Sequence, residues 1–235
     1  MLKSFFTALA LAALASSTMA QDLESDQGRL GYAIGFEFGS ETGQWDVEIE
    51  SVVAAIRDAA AGREPQIPVE EMRQVLAAFN ERVREQRMEQ FQRLAEENKV
   101  RADEFFAQNR DKNGIVTLPS GVQYRVIEEG DGDRPTLSDT VTVHYRGSKI
   151  DGREFDSSFA RGVPVSFSVD SVMEGWQEVL PLMREGAYWQ VFLPPELAFG
   201  VRGDPPLVGP NEALQFDLRL VQIGALENPQ AGSGG

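Results

Sequence analysis

The chain has 235 residues, 42% hydrophobic and 25% charged, the balance of a folded protein and not of a disordered or fibrous one. Its 22 basic and 37 acidic side chains give a formal charge of -15, a field that repels phosphate backbones and anionic lipid and argues against a nucleic-acid partner. With no cysteine and a single histidine, His144, thiolate catalysis, disulfide scaffolds, Cys/His zinc sites and Ser-His-Asp triads are excluded or nearly so.

The chain opens with a basic residue at Lys3, an apolar run from Phe5 to Leu14 and a small-residue exit ending Thr18-Met19-Ala20, the pattern of a secretory signal peptide cleaved after Ala20. The run is too short for a membrane anchor and breaks into Ser16-Ser17-Thr18, so no integral membrane segment is expected after cleavage. Leu30, Ile34 and Phe38 recur at helical spacing, and Val52, Val53, Ile56 and Ala60 make a second apolar stripe before Gly62. Two short helices in so small a segment cannot bury those side chains alone, and a second copy of the chain is the simplest cover. Pro68 followed by Glu70 and Glu71 marks a helix start. From Val69 to about Asp111 no proline or glycine interrupts a run rich in Glu, Arg, Gln and Ala, which as one helix would be about 65 Å long. Its apolar stripe weakens after Phe79 and Val83, the pattern of a solvated, rigid arm.

After Asn113-Gly114 the apolar period changes from 3.6 to 2. Val122 to Val126, Val141 to Tyr145, Trp189 to Leu193 and Leu214 to Leu220 alternate as strands with one buried face, Asp131-Gly132 and Asp151-Gly152 supply turns, and only Val172 to Leu180 reads as helical. The expected fold class is α+β: an antiparallel sheet wrapped on one short helix, preceded by the long helical arm and a small all-α segment.

Val143-His144-Tyr145-Arg146-Gly147, Asp151-Gly152-Arg153-Glu154-Phe155-Asp156-Ser157-Ser158, Val172-Met173-Glu174-Gly175-Trp176, Pro194-Pro195-Glu196-Leu197-Ala198-Phe199-Gly200 and Leu214-Gln215-Phe216-Asp217-Leu218, in this order and spacing, resemble the signature of FKBP-type peptidyl-prolyl cis-trans isomerases. The whole layout resembles their dimeric, exported branch. The resemblance implies a signal peptide over 1–20, a helical dimerisation segment over 21–66, a linker helix over 67–113, an isomerase domain over 114–224 and a flexible tail over 225–235. It also implies a homodimer in the periplasm, outer-membrane association being an alternative there. Its partners would be unfolded or proline-containing polypeptides, with macrolide-type inhibitors as further ligands, and neither cofactor nor metal is called for.

Carried over by position, the resemblance makes Trp176 the floor of a proline pocket. Tyr145, Phe155, Phe167, Val172, Met173, Leu207 and Phe216 become its walls, Asp156 and Arg161 its polar positions, and the backbone N–H of Met173 a donor to a bound carbonyl. His144 alternates with Tyr145, faces the other way and receives no role. The family usually has tyrosine where this chain has Phe199, and often an aromatic at Val165. Phe199 keeps the ring and lacks the hydroxyl donor, so turnover should be reduced with the pocket intact. Two functions stay open on this basis: an isomerase that also assists folding, and mainly a holdase chaperone whose C-terminal domain only clamps peptides.

Overall fold

A computed structural model describes residues 23–225, except Gln44 and Asp46. The expected signal peptide lies outside the described residues, as does the expected tail apart from Ala225. The chain divides into two units, with the boundary between Val75 and Leu76.

In the first unit, α1 (Asp26–Thr42) starts at Ser25, whose side chain accepts the backbone N–H of Gly28 and so satisfies one of the free donors of the first turn. Leu30, Ile34 and Phe38 line one side of α1 and Tyr32 and Phe36 another, and all five are exposed. Helix α2 (Ile49–Ala60) has no buried residue, and the chain leaves it through Gly62 in the left-handed region at φ 67°. Helix α3 (Val69–Asn109) follows Pro68, with Glu70 and Glu71 in its first turn. No described helix is long and apolar enough to cross a membrane.

The second unit is an antiparallel sheet of β1 (Ile115–Thr117), β2 (Gln123–Glu128), β3 (Thr140–Lys149), β4 (Glu154–Ser157), β5 (Val165–Ser168), β6 (Tyr188–Leu193) and β7 (Leu214–Ile223). The strand order is β1-β2-β6-β7-β3-β4, with β5 also paired to β3. The four alternating runs are the long strands β2, β3, β6 and β7. Strands β1, β4 and β5 are three or four residues long, too short to show a period of two, and periodicity alone did not anticipate them. Two short helices, α4 (Ser158–Arg161) and α5 (Glu174–Val179), complete the unit. Val141, Val143, Val191, Leu193, Leu214, Phe216, Leu218 and Leu220 bury one face of the sheet against Trp176, Val179 and Leu180 on and after α5.

The other face is covered in part by α3, and here the expectation of a helix solvated on most sides needs correcting. Ala95, Asn98, Ala102 and Asn109 are buried. The Phe105 ring lies 5.6 Å from that of Phe192, which β6 points outward and which is only 4% exposed. Gln123 of β2 is buried, donates to the Phe106 carbonyl at 3.0 Å and accepts from the Asn109 amide at 2.9 Å. The docking stripe, at spacings of three, four and seven, keeps to one helix face but is made of Ala and Asn, so no apolar stripe marked it in the sequence.

Replacing Gln123 by Leu keeps most of the volume and strands the buried Asn109 amide, while the Phe106 carbonyl keeps its bond from the Arg110 N–H at 3.1 Å. Gln123→Leu should lower unfolding free energy by about 1 to 3 kcal/mol in a denaturant titration. An unchanged midpoint would show that the Gln123 contacts contribute nothing to holding the helix.

Candidate active site

The alternation along β3 sends Tyr145 to the α5 side of the sheet and His144 to the opposite side, where it stacks on Phe159 at 4.8 Å with Nδ1 3.1 Å from the Ser158 hydroxyl. The register sets Tyr145 opposite Leu218 and Gly147 opposite Phe216, and Val191 of β6 flanks Phe216 from the other side. Gly147 has to be glycine: a Cβ there would lie 2.6 Å from the Phe155 ring and 2.9 Å from the Phe216 ring. Those two rings meet edge to face, 5.9 Å apart, over the gap.

Gly175 does the same for α5, since a Cβ on it would come within 2.5 Å of Leu193. Held that close to β6, the first turn of α5 places Trp176 among Tyr145, Phe167 and Phe216, at ring-centroid distances of 5.4, 5.6 and 5.1 Å. Trp176 is 4% exposed, and its indole N–H is buried with no hydrogen-bond partner among the described residues. Val172, Met173 and Phe199 are half-buried against the hydrophobic core to which Trp176 and Phe216 belong. Leu207, 51% exposed, lies on the loop after Gly203, and among the described contacts it does not join this packing.

A polar edge borders the rings. The Tyr145 hydroxyl donates to Oδ2 of Asp156, and Arg161 donates from Nη1 to Oδ1 of Asp156 and from Nη2 to the Tyr145 oxygen at 3.1 Å. Partial burial alone would raise the Asp156 carboxyl, but the hydrogen bonds from Tyr145 and Arg161 together outweigh it and hold the group below the usual carboxylate value. Burial, followed by the bond to Asp156, pushes the Tyr145 hydroxyl up. Local sequence sets this geometry. Ser157 caps α4 by accepting the Ala160 N–H at 3.2 Å, and Gly162 ends it at φ 72°, which turns Arg161 back toward Asp156. Buried Ser158 accepts the Tyr145 backbone N–H at 2.8 Å and so ties α4 to β3.

The structure thus brings together Tyr145, Phe155, Asp156, Arg161, Phe167, Trp176 and Phe216, sets Val172, Met173 and Phe199 against the same core, and leaves Leu207 apart on its loop. Gly147, Gly175 and Ser158 were not among the site residues expected from the sequence. Each stands inside a signature block, where two glycines within runs of large residues signal close approach of neighbouring backbone and side chains.

Two family models match the chain. FKBP-type peptidyl-prolyl cis-trans isomerase covers residues 132–221, and the domain amino terminal to FKBP-type peptidyl-prolyl isomerase covers 27–126. The chain is 40% identical to the outer membrane protein MIP of Legionella longbeachae, over 92% of this chain and 93% of that protein. It is 38% identical to the peptidyl-prolyl cis-trans isomerase Mip of Coxiella burnetii, over 87% of this chain and 90% of that protein. The crystal structure of FkpA from Escherichia coli superposes with a TM-score of 0.69 at 32% identity, covering 86% of this chain and 98% of that one. The signature blocks converge on one aromatic cluster in a fold shared with a solved isomerase, and relatives match along nearly their whole length: the chain belongs to the FKBP-type peptidyl-prolyl cis-trans isomerases.

Proposed function

We propose that X-Pro bonds of exported polypeptides are turned over at the aromatic cluster around Trp176, in a protein that acts as a homodimer in the periplasm and also holds unfolded chains. The observation that carries the site is the packing of Trp176 among Tyr145, Phe167 and Phe216, all within 5.6 Å, with an apolar enclosure on one side and a single polar edge on the other.

The chemistry suits these residues. Rotation about an X-Pro amide passes through a twisted state, about 18 to 20 kcal/mol above the planar one for an ordinary peptide bond, because twisting breaks C–N resonance. The planar amide is the more dipolar form, so an enclosure that excludes water and offers few dipoles disfavours it relative to the twisted state. In this reading Trp176 supports the proline ring, Tyr145, Phe155, Phe167, Val172 and Phe216 surround it, and Phe199 and Leu207 border the opening. The Met173 N–H, just ahead of α5, donates to the carbonyl on the prolyl side. Asp156 and Arg161 satisfy each other and Tyr145, which leaves the edge ordered without a mobile charge in the cavity. No bond to the protein forms or breaks.

The dimer rests on α1 and α2. A single copy leaves Leu30, Ile34 and Phe38 at 62, 59 and 45% exposure, and a second copy packed on that side would bury them at about 25 cal/mol per Å2 of apolar surface. Two linked copies present two proline sites to one unfolded chain, which raises the effective concentration of the second site. Phe199, with no hydroxyl to donate, favours a second reading in which holding outweighs turnover.

Three measurements bear on this. Because the Trp176 N–H has no partner among the described residues, Trp176→Phe removes ring area without removing a hydrogen bond and should lower kcat/KM on a proline peptide while the protein stays folded. Trp176→Leu should lower it further, at a stability cost approaching the about 3 to 5 kcal/mol typical of a buried tryptophan truncation, so both variants need melting curves beside the kinetics. Turnover equal to the parent in a folded Trp176 variant would remove the residue from the site. Phe199→Tyr should raise kcat/KM or macrolide affinity by up to about tenfold, the worth of one hydrogen bond of about 0.5 to 1.5 kcal/mol, and no gain in either would place the missing hydroxyl elsewhere. Ile34→Glu with Phe38→Glu should convert the mature chain to a monomer in light scattering, with short-peptide turnover retained and aggregation suppression weakened. A dimer that survives both charges would move the interface away from α1.

A further inference from the structure

Between Pro194 and Leu214 the chain leaves the sheet in a long loop that carries Phe199 and Leu207 and then returns to place Phe216. The loop is built of two short turns, Pro195–Leu197 and Gly200–Arg202, and a bridge between Asp204 and Val208. Much of it faces solvent, with Val201 and Leu207 more than half exposed. Apolar packing anchors the loop at Val208, 1% exposed in the core, and along Leu197 to Phe199 against it, and beyond Val208 directed contacts take over.

Those contacts lead to α3. Asn98 is 3% exposed, and its Nδ2 donates to the Pro210 carbonyl at 2.6 Å while its Oδ1 accepts from Arg101, so both ends of the amide are engaged and its orientation is fixed. The neighbouring Asn211 donates from its side chain to the Ala95 carbonyl at 3.3 Å. Asn211 sits at φ 50°, a conformation that asparagine adopts more readily than most residues, and in it the backbone N–H reaches the Gly200 carbonyl at 2.9 Å. Gly203 N–H then donates to the Phe199 carbonyl at 3.1 Å. Hydrogen bonds thus run from the buried side of α3 through Pro210 and Asn211 to the backbone beside Phe199. An ion pair between Lys99 and Glu196 at 3.7 Å also joins helix to loop, but both groups are largely exposed and it adds little.

We propose that Asn98 is a positioning residue of the proline site: by fixing Pro210 and Asn211 it sets where Phe199 and Leu207 stand, so that the end of α3 forms part of the support of the site. This rests on the reading that Phe199 and Leu207 border the substrate. Asn98 touches no substrate, and its effect passes through the loop. The loop borders the opening and does not form the floor, so loosening it should weaken binding more than the bond rotation itself.

The test uses the full mature chain. Asn98→Asp keeps the shape and the acceptor for Arg101 but sets a carboxylate against the Pro210 carbonyl. Asn211→Asp removes the donor to Ala95 with a residue that tolerates the same backbone conformation, and it carries the test if Asn98 variants fail to fold. For each, kcat and KM on a short proline peptide are measured beside hydrogen exchange at the Asn211 and Gly203 amides, with Phe216 and Leu218 of β7 as reference. Exchange at Asn211 and Gly203 should rise about tenfold or more, with KM several-fold higher and kcat within about twofold. The proposal is overturned if KM is unchanged, or if the β7 amides accelerate together with the loop, since the loss would then be one of global stability. Phe199→Ala, measured alongside, separates the two ways of failing. If it raises KM and Asn98→Asp does not, the clamp is wrong. If Asn98→Asp frees the loop amides while Phe199→Ala leaves KM untouched, the loop is clamped but does not border the site, and the pocket reading falls.

Discussion

The packing of Phe216 against Trp176 is the contact on which the rest of the C-terminal unit depends. Phe216 is 1% exposed, near the start of β7, opposite Gly147 on one neighbouring strand and Val191 on the other. Although β7 is last in the chain, it lies between β6 and β3, so neither of those strands has its full set of partners until residues 214–223 are in place. Such long-range closure is the kind that folds slowly. It also means that the floor of the cluster and the centre of the core are one object. Truncating either ring to alanine opens a cavity costing about 3 to 5 kcal/mol and deforms the ring cluster in the same stroke. The gain is rigidity: rings locked edge to face beside Gly147, with α5 held close to Leu193 through Gly175, form a preformed surface that on the proposed reading a substrate need not organise.

That coupling explains what the sequence could and could not show. The long strands were legible because one face of each is buried, and alternation records this directly. The aromatic positions were legible through the signature blocks and the spacing between them even where a strand is short: Phe155, inside a block, and Phe167, between two blocks, each sit on a strand of four residues. The polar edge was legible as residue identities but not as geometry, since the approach of Arg161 to Asp156 depends on a cap at Ser157 and a left-handed glycine at 162. The docking of α3 was not legible. Its buried side is Ala95, Asn98, Ala102 and Asn109, and neither a small residue nor an amide raises a hydrophobic stripe, although both allow close approach and directed hydrogen bonds.

The two faces of the sheet divide the work accordingly. On one, apolar side chains close around Trp176. On the other, polar groups are paired within the fold: buried Asp217 accepts from Arg146 and, at 3.3 Å, from Gln190, and both carboxylate oxygens of Glu128 accept from Arg219 at 3.0 Å. The long helix continues that second face over Phe192 and Gln123, so its last turns belong to the sheet as a cover and not only to the arm that precedes it.

A reaction that moves no proton and makes no bond places an unusual demand on its polar residues, which is to stay still and stay paired. On the proposed reading Tyr145, Asp156 and Arg161 meet it, because each directs its hydrogen-bonding groups at the other two. A carboxylate held below its ordinary pKa by such partners is a poor general base, since its proton affinity is already spent on the tyrosine and the guanidinium. On the proposed reading the triad is therefore a frame, and selectivity for the twisted amide comes from the enclosure it frames. The same reading accounts for how a chain with a formal charge of -15, one histidine and no cysteine can host an enzyme site: the one carboxylate at its edge, Asp156, is paired, and the reacting amide would meet mostly rings.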